Sequence, residues 1–250
     1  MLKFASNFAR VVKTYCSPRY AIIGNPSKYA AGSANWLIAT EKHFGGLHTN
    51  VRRCRVSPHD PRTPAQIMSD GMTGGDRMYH HGYAEAYSVH LRPFLSRRNE
   101  RLTIVEIGIL KGTGLALWSA LFPNANIIGL DIDLSHTERN LDFLKSRGAF
   151  ASQAPELHIF DQFEDGSSRI AEILHGRKID ICIDDGYHSR RTIIKTAEAV
   201  FPHCAPQFVY FVEDNSRVAK ALAKRVPVRV ESIGRLTVLG PSAPSRRILA

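Results

Sequence analysis

An open α/β sheet, doubly wound and mostly parallel, is the fold class this sequence predicts, and three observations predict it. From residue 102 onward, short β-branched apolar runs alternate with segments of helical period, and strands alternating with helices argue for a parallel sheet covered on both faces. The run I-V-E-I-G-I-L-K-G-T-G at 104–114 then leads from a strand to a helix through Gly108, Gly112 and Gly114. Such a tight turn lets backbone N–H groups approach a nucleotide-like ligand. Finally, I-I-G-L-D ends in Asp131, where a doubly wound fold places the acid that holds ribose hydroxyls. The chain is expected to bind a nucleoside-containing cofactor on a Rossmann-like sheet.

Each element follows in order. Residues 1–65 hold scattered Gly, Pro and Ser, with a helix expected at 35–44 and P-H-D-P-R-T-P at 58–64 reading as a linker. This part is expected to be a small basic extension, able to serve as an oligomer contact or to cover the ligand site. Residues 66–250 are expected to form the main α/β domain. Over 76–95, Tyr83, Tyr87, Leu91 and Leu95 recur every four residues, one face of a helix. Strands are expected at 102–107, 126–131, 156–160, 179–183 and 207–212, and helices at 113–121, 136–147, 167–175, 189–200 and 216–225. The closing P-V-R-V-E-S-I-G-R-L-T-V-L-G reads as two strands around a glycine turn. That terminal antiparallel hairpin brings the sheet to seven strands.

Composition sets the bounds. A chain of 250 residues that is 44% hydrophobic can build one α/β domain with a substantial core and a smaller N-terminal element. No apolar run is long enough to span a bilayer, and the N-terminus lacks the continuous hydrophobic stretch of a secretory signal. Cys16, Cys54, Cys182 and Cys204 form no C-x-x-C pair, a usage that suits reduced thiols in a cytoplasm. The net charge of +10 is uneven: residues 1–65 carry +8, residues 217–250 carry +7, and the middle carries −5. A nucleic-acid enzyme would surround its cleft with basic residues. Here the expected cleft is acidic, so no nucleic-acid partner is expected and the basic flanks read as solubilising surface.

The acidity is concentrated at two strand ends. D-I-C-I-D-D-G-Y-H, 180–188, runs from a strand into Asp184, Asp185, a glycine turn and His188, and F-V-Y-F-V-E-D-N ends the next strand in Glu213 and Asp214. Ligands of open parallel sheets bind at the carboxyl ends of strands, so both pairs should face the cleft. Converging carboxylates repel unless protonated or neutralised by a cation, and an all-oxygen set favours Mg²⁺ over zinc. Ordinary capping of strand-to-helix turns is the alternative for either pair taken alone.

The glycine spacing G-x-x-x-G-x-G also occurs in short-chain dehydrogenases, which would make the cofactor NAD(P). Against that, the glycine strand lies far inside this chain, and no tyrosine is followed by the lysine of a Y-x-x-x-K pair. The E-x-G start, Glu106 to Gly108, instead resembles the first motif of class I S-adenosylmethionine-dependent methyltransferases. E-I-G-I-L-K-G-T-G-L-A-L-W, F-P-N-A-N-I-I-G-L-D-I-D, I-D-D-G-Y-H and V-E-D together resemble the metal-dependent sugar O-methyltransferases of the macrocin and mycinamicin group, over residues 70–216. The resemblance implies Asp185, Glu213 and Asp214 as ligands of Mg²⁺ and His188 as the base. It also implies that Glu106 anchors the methionine end of the cofactor, beside Gly108, Gly112 and Gly114. Asp131 would take the ribose, with Asp133 as its rival, and Asp161 and Gln162 would lie near adenine. The H-G-Y of 81–83 looks like a family element preceding the core, which places Tyr83 near cofactor or acceptor. Tyr187 departs from the small residue usual at that position. The implied partner is a glycoside or other small-molecule acceptor. A non-catalytic cofactor- or nucleic-acid-binding protein is the reading of a different class.

Overall fold

The computed structural model describes residues 25–45, 49–50, 59, 62–69 and 73–241. These fall into two compact units, one taking 25–45, 49–50, 62–69 and 73–95, the other 59 and 96–241. Cys16, Cys54, part of the expected linker and much of the basic extension lie outside the described residues.

The smaller unit contains α1 (Ala34–His43), β1 (Thr49–Asn50), α2 (Pro64–Ser69), β2 (Thr73–Gly74) and α3 (Ala84–Leu95). Helix α1 starts where Ser33 Oγ accepts from Trp36 N at 3.2 Å, a side-chain cap for a donor the helix leaves unsatisfied. It buries Trp36, Leu37, Ile38 and Ala39 and packs on α3. The helix expected over 76–95 is shorter than its pattern. Gly82 takes φ +76° and residues 77–80 form turns, so helical period begins only at α3. Tyr83, Tyr87 and Leu91 of the expected face are buried, and Phe94 rather than Leu95 completes it.

The larger unit is the doubly wound sheet. In chain order it runs β3 (Thr103–Ile107), α4 (Thr113–Leu121), β4 (Asn126–Asp131), α5 (Ser135–Glu138), α6 (Leu141–Ser146), β5 (Glu156–Ile159), α7 (Ser167–Leu174) and β6 (Ile179–Asp184). It continues with α8 (Arg190–Val200), β7 (Cys204–Val212), α9 (Ala219–Leu222), β8 (Arg229–Ile233) and β9 (Leu236–Gly240). The seven strands lie in the order β5-β4-β3-β6-β7-β9-β8. The first five pair in parallel, whereas β9 is antiparallel to both β7 and β8. The predicted hairpin is therefore present, with Gly234 at φ +60° opening its two-residue turn.

Strands β3 and β6 are buried along their whole length, and the edges β5 and β8 are not. The apolar runs of the central strands have a face under helices on either side, which is why they read as unbroken rather than alternating. Helix α4 packs tightly enough on β4 that a Cβ at Gly129 would meet Leu115 Cδ1 at 2.7 Å. Cys182 and Cys204 are free thiols that burial keeps protonated, Cys204 being pushed up to about 12.

Two expected helices are interrupted. That at 136–147 divides into α5 and α6; at the break, Thr137 Oγ1 and Asn140 Nδ2 donate to Leu110 O and Lys111 O, at 2.7 and 2.8 Å. That at 216–225 becomes a 3-10 turn at Ser216–Val218 followed by the single turn of α9. No helix among the described residues is long and apolar enough to cross a membrane.

Candidate active site

The strand order reverses between β3 and β6, and the crevice beyond the carboxyl ends of strands at such a point is where open α/β sheets bind ligands. The glycine turn sits there. Gly108 has φ +83°, and a Cβ on it would fall 2.3 Å from Asp185 O and 2.7 Å from Gly186 Cα. Only glycine lets the turn after β3 cross the loop after β6 this closely. Gly112, at φ +73°, is the left-handed cap of α4, and Gly114 is the second residue of that helix.

Glu106 is buried within β3, 2% exposed, and its Oε2 accepts from Trp118 Nε1 at 2.6 Å. Asp131, at the end of β4, braces the glycine turn: its Oδ2 accepts from Ile109 N at 2.9 Å and Leu110 N at 3.0 Å, and its Oδ1 from Asp133 N at 3.2 Å. Burial raises the Asp131 carboxyl above its ordinary value despite those donors. Asp133 is more exposed, accepts from Ser135 N, and is held below the carboxylate range first by the Ser135 hydroxyl.

Beyond β5, Asp161 Oδ1 accepts from Phe163 N at 2.8 Å, and its Oδ2 lies 3.6 Å from His59 Nε2. The His59 ring stacks on Phe163 with centroids 4.0 Å apart, and Tyr187 Oη donates to His59 O at 2.7 Å. Gln162 points inward instead. Its Nε2 donates to Asp184 Oδ1 at 2.8 Å and Thr196 Oγ1 at 3.1 Å, while its Oε1 accepts from Tyr187 N at 2.8 Å. Tyr210 Oη donates to the other Asp184 oxygen at 3.2 Å. Asp184 is thus the buried centre of a polar network, its carboxyl pushed up by burial, and that network fixes the D-D-G-Y turn from beneath.

The second acid of each strand end reaches the crevice. Asp185, His188 and Asp214 each offer a ligand atom within 4.8 Å of the others, and His188 Nε2 lies 3.8 Å from Asp185 Oδ1. His188 and Asp214 both adopt left-handed backbone, φ +60° and +59°. Strain of this kind in non-glycine residues clusters at functional sites. Asn215 Nδ2 donates to His188 O at 2.9 Å and ties the two loops together. Glu213 is 2% exposed, its backbone N donates to Asp184 O at 2.9 Å, and it lies outside the converging group. Arg235, from the β8–β9 turn, places Nη2 3.1 Å from Asp214 Oδ1.

Sequence reasoning did not reach Asp184 as a buried hub, Tyr210, His59, Phe163 or Arg235. The available signal was Tyr210 inside an apolar strand, since a buried phenol needs a hydrogen-bond partner. Tyr83 belongs to the smaller unit.

No protein-family model matches the chain. Over 150 residues it is 30% identical to 8-demethyl-8-alpha-L-rhamnosyl tetracenomycin-C 2'-O-methyltransferase of Streptomyces olivaceus, covering 56% of this chain and 35% of that protein. Over 142 residues it is 33% identical to mycinamicin VI 2''-O-methyltransferase of Micromonospora griseorubida, covering 54% and 31%. The chain spans about a third of the length of these curated relatives. A methyltransferase of the mycinamycin biosynthetic pathway, solved with Mg, SAH and mycinamycin VI, superposes with a TM-score of 0.49 at 20% identity, over 66% of this chain and 51% of that one.

Proposed function

We propose that this chain, related over about half its length to the macrocin- and mycinamicin-type sugar O-methyltransferases, transfers a methyl group from S-adenosylmethionine to a sugar hydroxyl of a glycoside. The observation that carries this reading is the convergence of Asp185, His188 and Asp214 within 4.8 Å at the ends of β6 and β7, beside the glycine turn at the switch point. The acceptor class rests on the curated relatives, named as 2'-O- and 2''-O-methyltransferases, the first of a rhamnosyl compound.

The residues present fit a hard divalent ion. Two carboxylates meet where like charges would otherwise repel, and Mg²⁺ is held through one or two carboxylates while keeping much of its water. Asp185 and Asp214 would hold it, with Glu213 next to them. When bound, S-adenosylmethionine supplies an activated methyl group and Mg²⁺ a Lewis acid that lowers the pKa of a hydroxyl and orients it.

The chain's own residues do the rest. Gly108, Gly112 and Gly114 keep the turn after β3 open to a close-lying ligand, and Asp131 holds that turn in shape through Ile109 N and Leu110 N. Asp133 and Asp161 remain as acids for the nucleoside. His188 takes the proton of the acceptor hydroxyl, with the Asp185 carboxylate 3.8 Å away to stabilise the imidazolium that forms. An imidazole committed to a metal could not accept that proton, so the carboxylates are assigned the ion and His188 the base.

Calorimetric titration with S-adenosylhomocysteine, NAD(H) and NADP(H), each with Mg²⁺ and with EDTA, tests the reading. The expected outcome is binding of S-adenosylhomocysteine alone, with Mg²⁺ uptake that Asp185→Ala abolishes. Binding of a nicotinamide cofactor instead would overturn it.

A further inference from the structure

The guanidinium at Asp214 comes from the far end of the chain, and the topology explains how it arrives there. Strand β9 is inserted antiparallel between β7 and β8, with Val212 opposite Thr237. The β8–β9 turn therefore returns to the carboxyl end of β7, where Asp214 stands. Thr237 Oγ1 donates to Asn215 O at 3.1 Å and Ser232 Oγ to Ser216 O at 3.4 Å, so the hairpin is pinned to the loop that carries the acid. The hairpin that carries Arg235 is held in place while its side chain is 63% exposed.

Asp214 Oδ1, 3.1 Å from Arg235 Nη2, belongs to the carboxylate–imidazole group described above. Arginine keeps its charge at every working pH, so a divalent ion arriving at Asp214 meets a resident cation on the same carboxylate. We propose that Arg235 is a tethered counter-ion of the metal site: it pairs with the Asp214 carboxylate and weakens divalent-cation affinity by competing for it. The proposal rests on the reading of Asp185 and Asp214 as metal ligands. Its consequence is a site tuned to release its ion, with hairpin and metal exchanging places on one oxygen.

The test is a Mn²⁺ titration of the full chain, with free Mn²⁺ followed by electron paramagnetic resonance. Arg235→Gln removes the charge from an exposed side chain and should tighten Mn²⁺ binding roughly 1.5- to fivefold, the scale of an exposed ion pair. Arg235→Lys keeps a cation on the turn and should stay closer to the parent than Arg235→Gln does. Unchanged or weaker binding in a folded Arg235→Gln variant would overturn the role of Arg235 while leaving the metal site standing. If parent and variants alike take up no Mn²⁺, the metal-site reading fails, and the proposal fails with it. Asp214→Asn, expected to lose binding in every background, reports on the site independently of Arg235.

Discussion

A methyl group at residue 108 has nowhere to go. It would stand 2.3 Å from the Asp185 carbonyl oxygen and 2.6 Å from its carbon, both backbone atoms, and φ +83° adds strain of about 1–3 kcal/mol for any other residue. Gly108→Ala should therefore separate the glycine turn from the loop after β6. A lowered melting temperature together with loss of S-adenosylhomocysteine binding is the expected result, and calorimetry reads both. His188 makes a contrasting prediction, because its side chain sits in the crevice and the bond that ties its loop to Asn215 runs through its backbone carbonyl, which alanine keeps. His188→Ala should reduce turnover by roughly 10²–10⁴ while cofactor affinity and melting temperature hold. A variant with near-parent turnover on a glycoside acceptor would remove the base from the mechanism. The sequence pattern located both residues because strand ends and glycine turns are written locally. It could not show that Gln162 turns inward to Asp184, or that Glu106 accepts from Trp118, since those partners lie on other elements and only packing brings them together.

Among the elements, α1 makes the sharpest prediction. Glu41 is 3% exposed and accepts from Met78 N at 2.8 Å and Tyr79 N at 3.2 Å, fastening the turns that precede α3. Burial, outweighing those donors and the nearby Arg77, raises its pKa from 4.5 to about 7, with Asp76 adding to the rise. A carboxyl with a raised folded pKa binds its proton more tightly in the folded than in the unfolded state. Its contribution is complete below pH 4.5, falls as the pH climbs to about 7, and is constant beyond. The loss is on the order of 3 kcal/mol. Denaturant unfolding at pH 5 and pH 8 should show that decline in the parent chain and a flatter profile in Glu41→Gln; equal slopes would show that Glu41 does not set it. The strands of the main sheet were legible to within about three residues, because β-branched runs between glycine, proline and acidic turns leave little choice; β7 starts at Cys204 rather than 207, and the short β1 and β2 carried no such run. The helices at 136–147 and 216–225 were less so. In the first, Thr137 and Asn140 serve the glycine turn, and that use has no signature in helical spacing; the second holds only a 3-10 turn and a single helical turn.

For the whole molecule, charge distribution decides what the chain should ignore. The +8 of residues 1–65 and the +7 of residues 217–250 flank a segment of −5, and that segment carries Asp131, Asp161, Asp184, Asp185, Glu213 and Asp214 to the carboxyl ends of the parallel strands. A phosphate backbone would meet repulsion from those carboxylates. Association with nucleic acid should therefore be non-specific, with a dissociation constant no tighter than about 10⁻⁴–10⁻⁶ M at physiological salt, and should weaken steeply between roughly 50 and 200 mM salt as counter-ion release predicts. Fluorescence anisotropy of labelled RNA and DNA, with and without S-adenosylhomocysteine, measures this directly. The glycoside acceptor proposed above carries no phosphate backbone and meets no such repulsion. Tight binding to an RNA that persists at 200 mM salt would reverse the assignment of the acceptor, because only contacts beyond the backbone charge survive that screening.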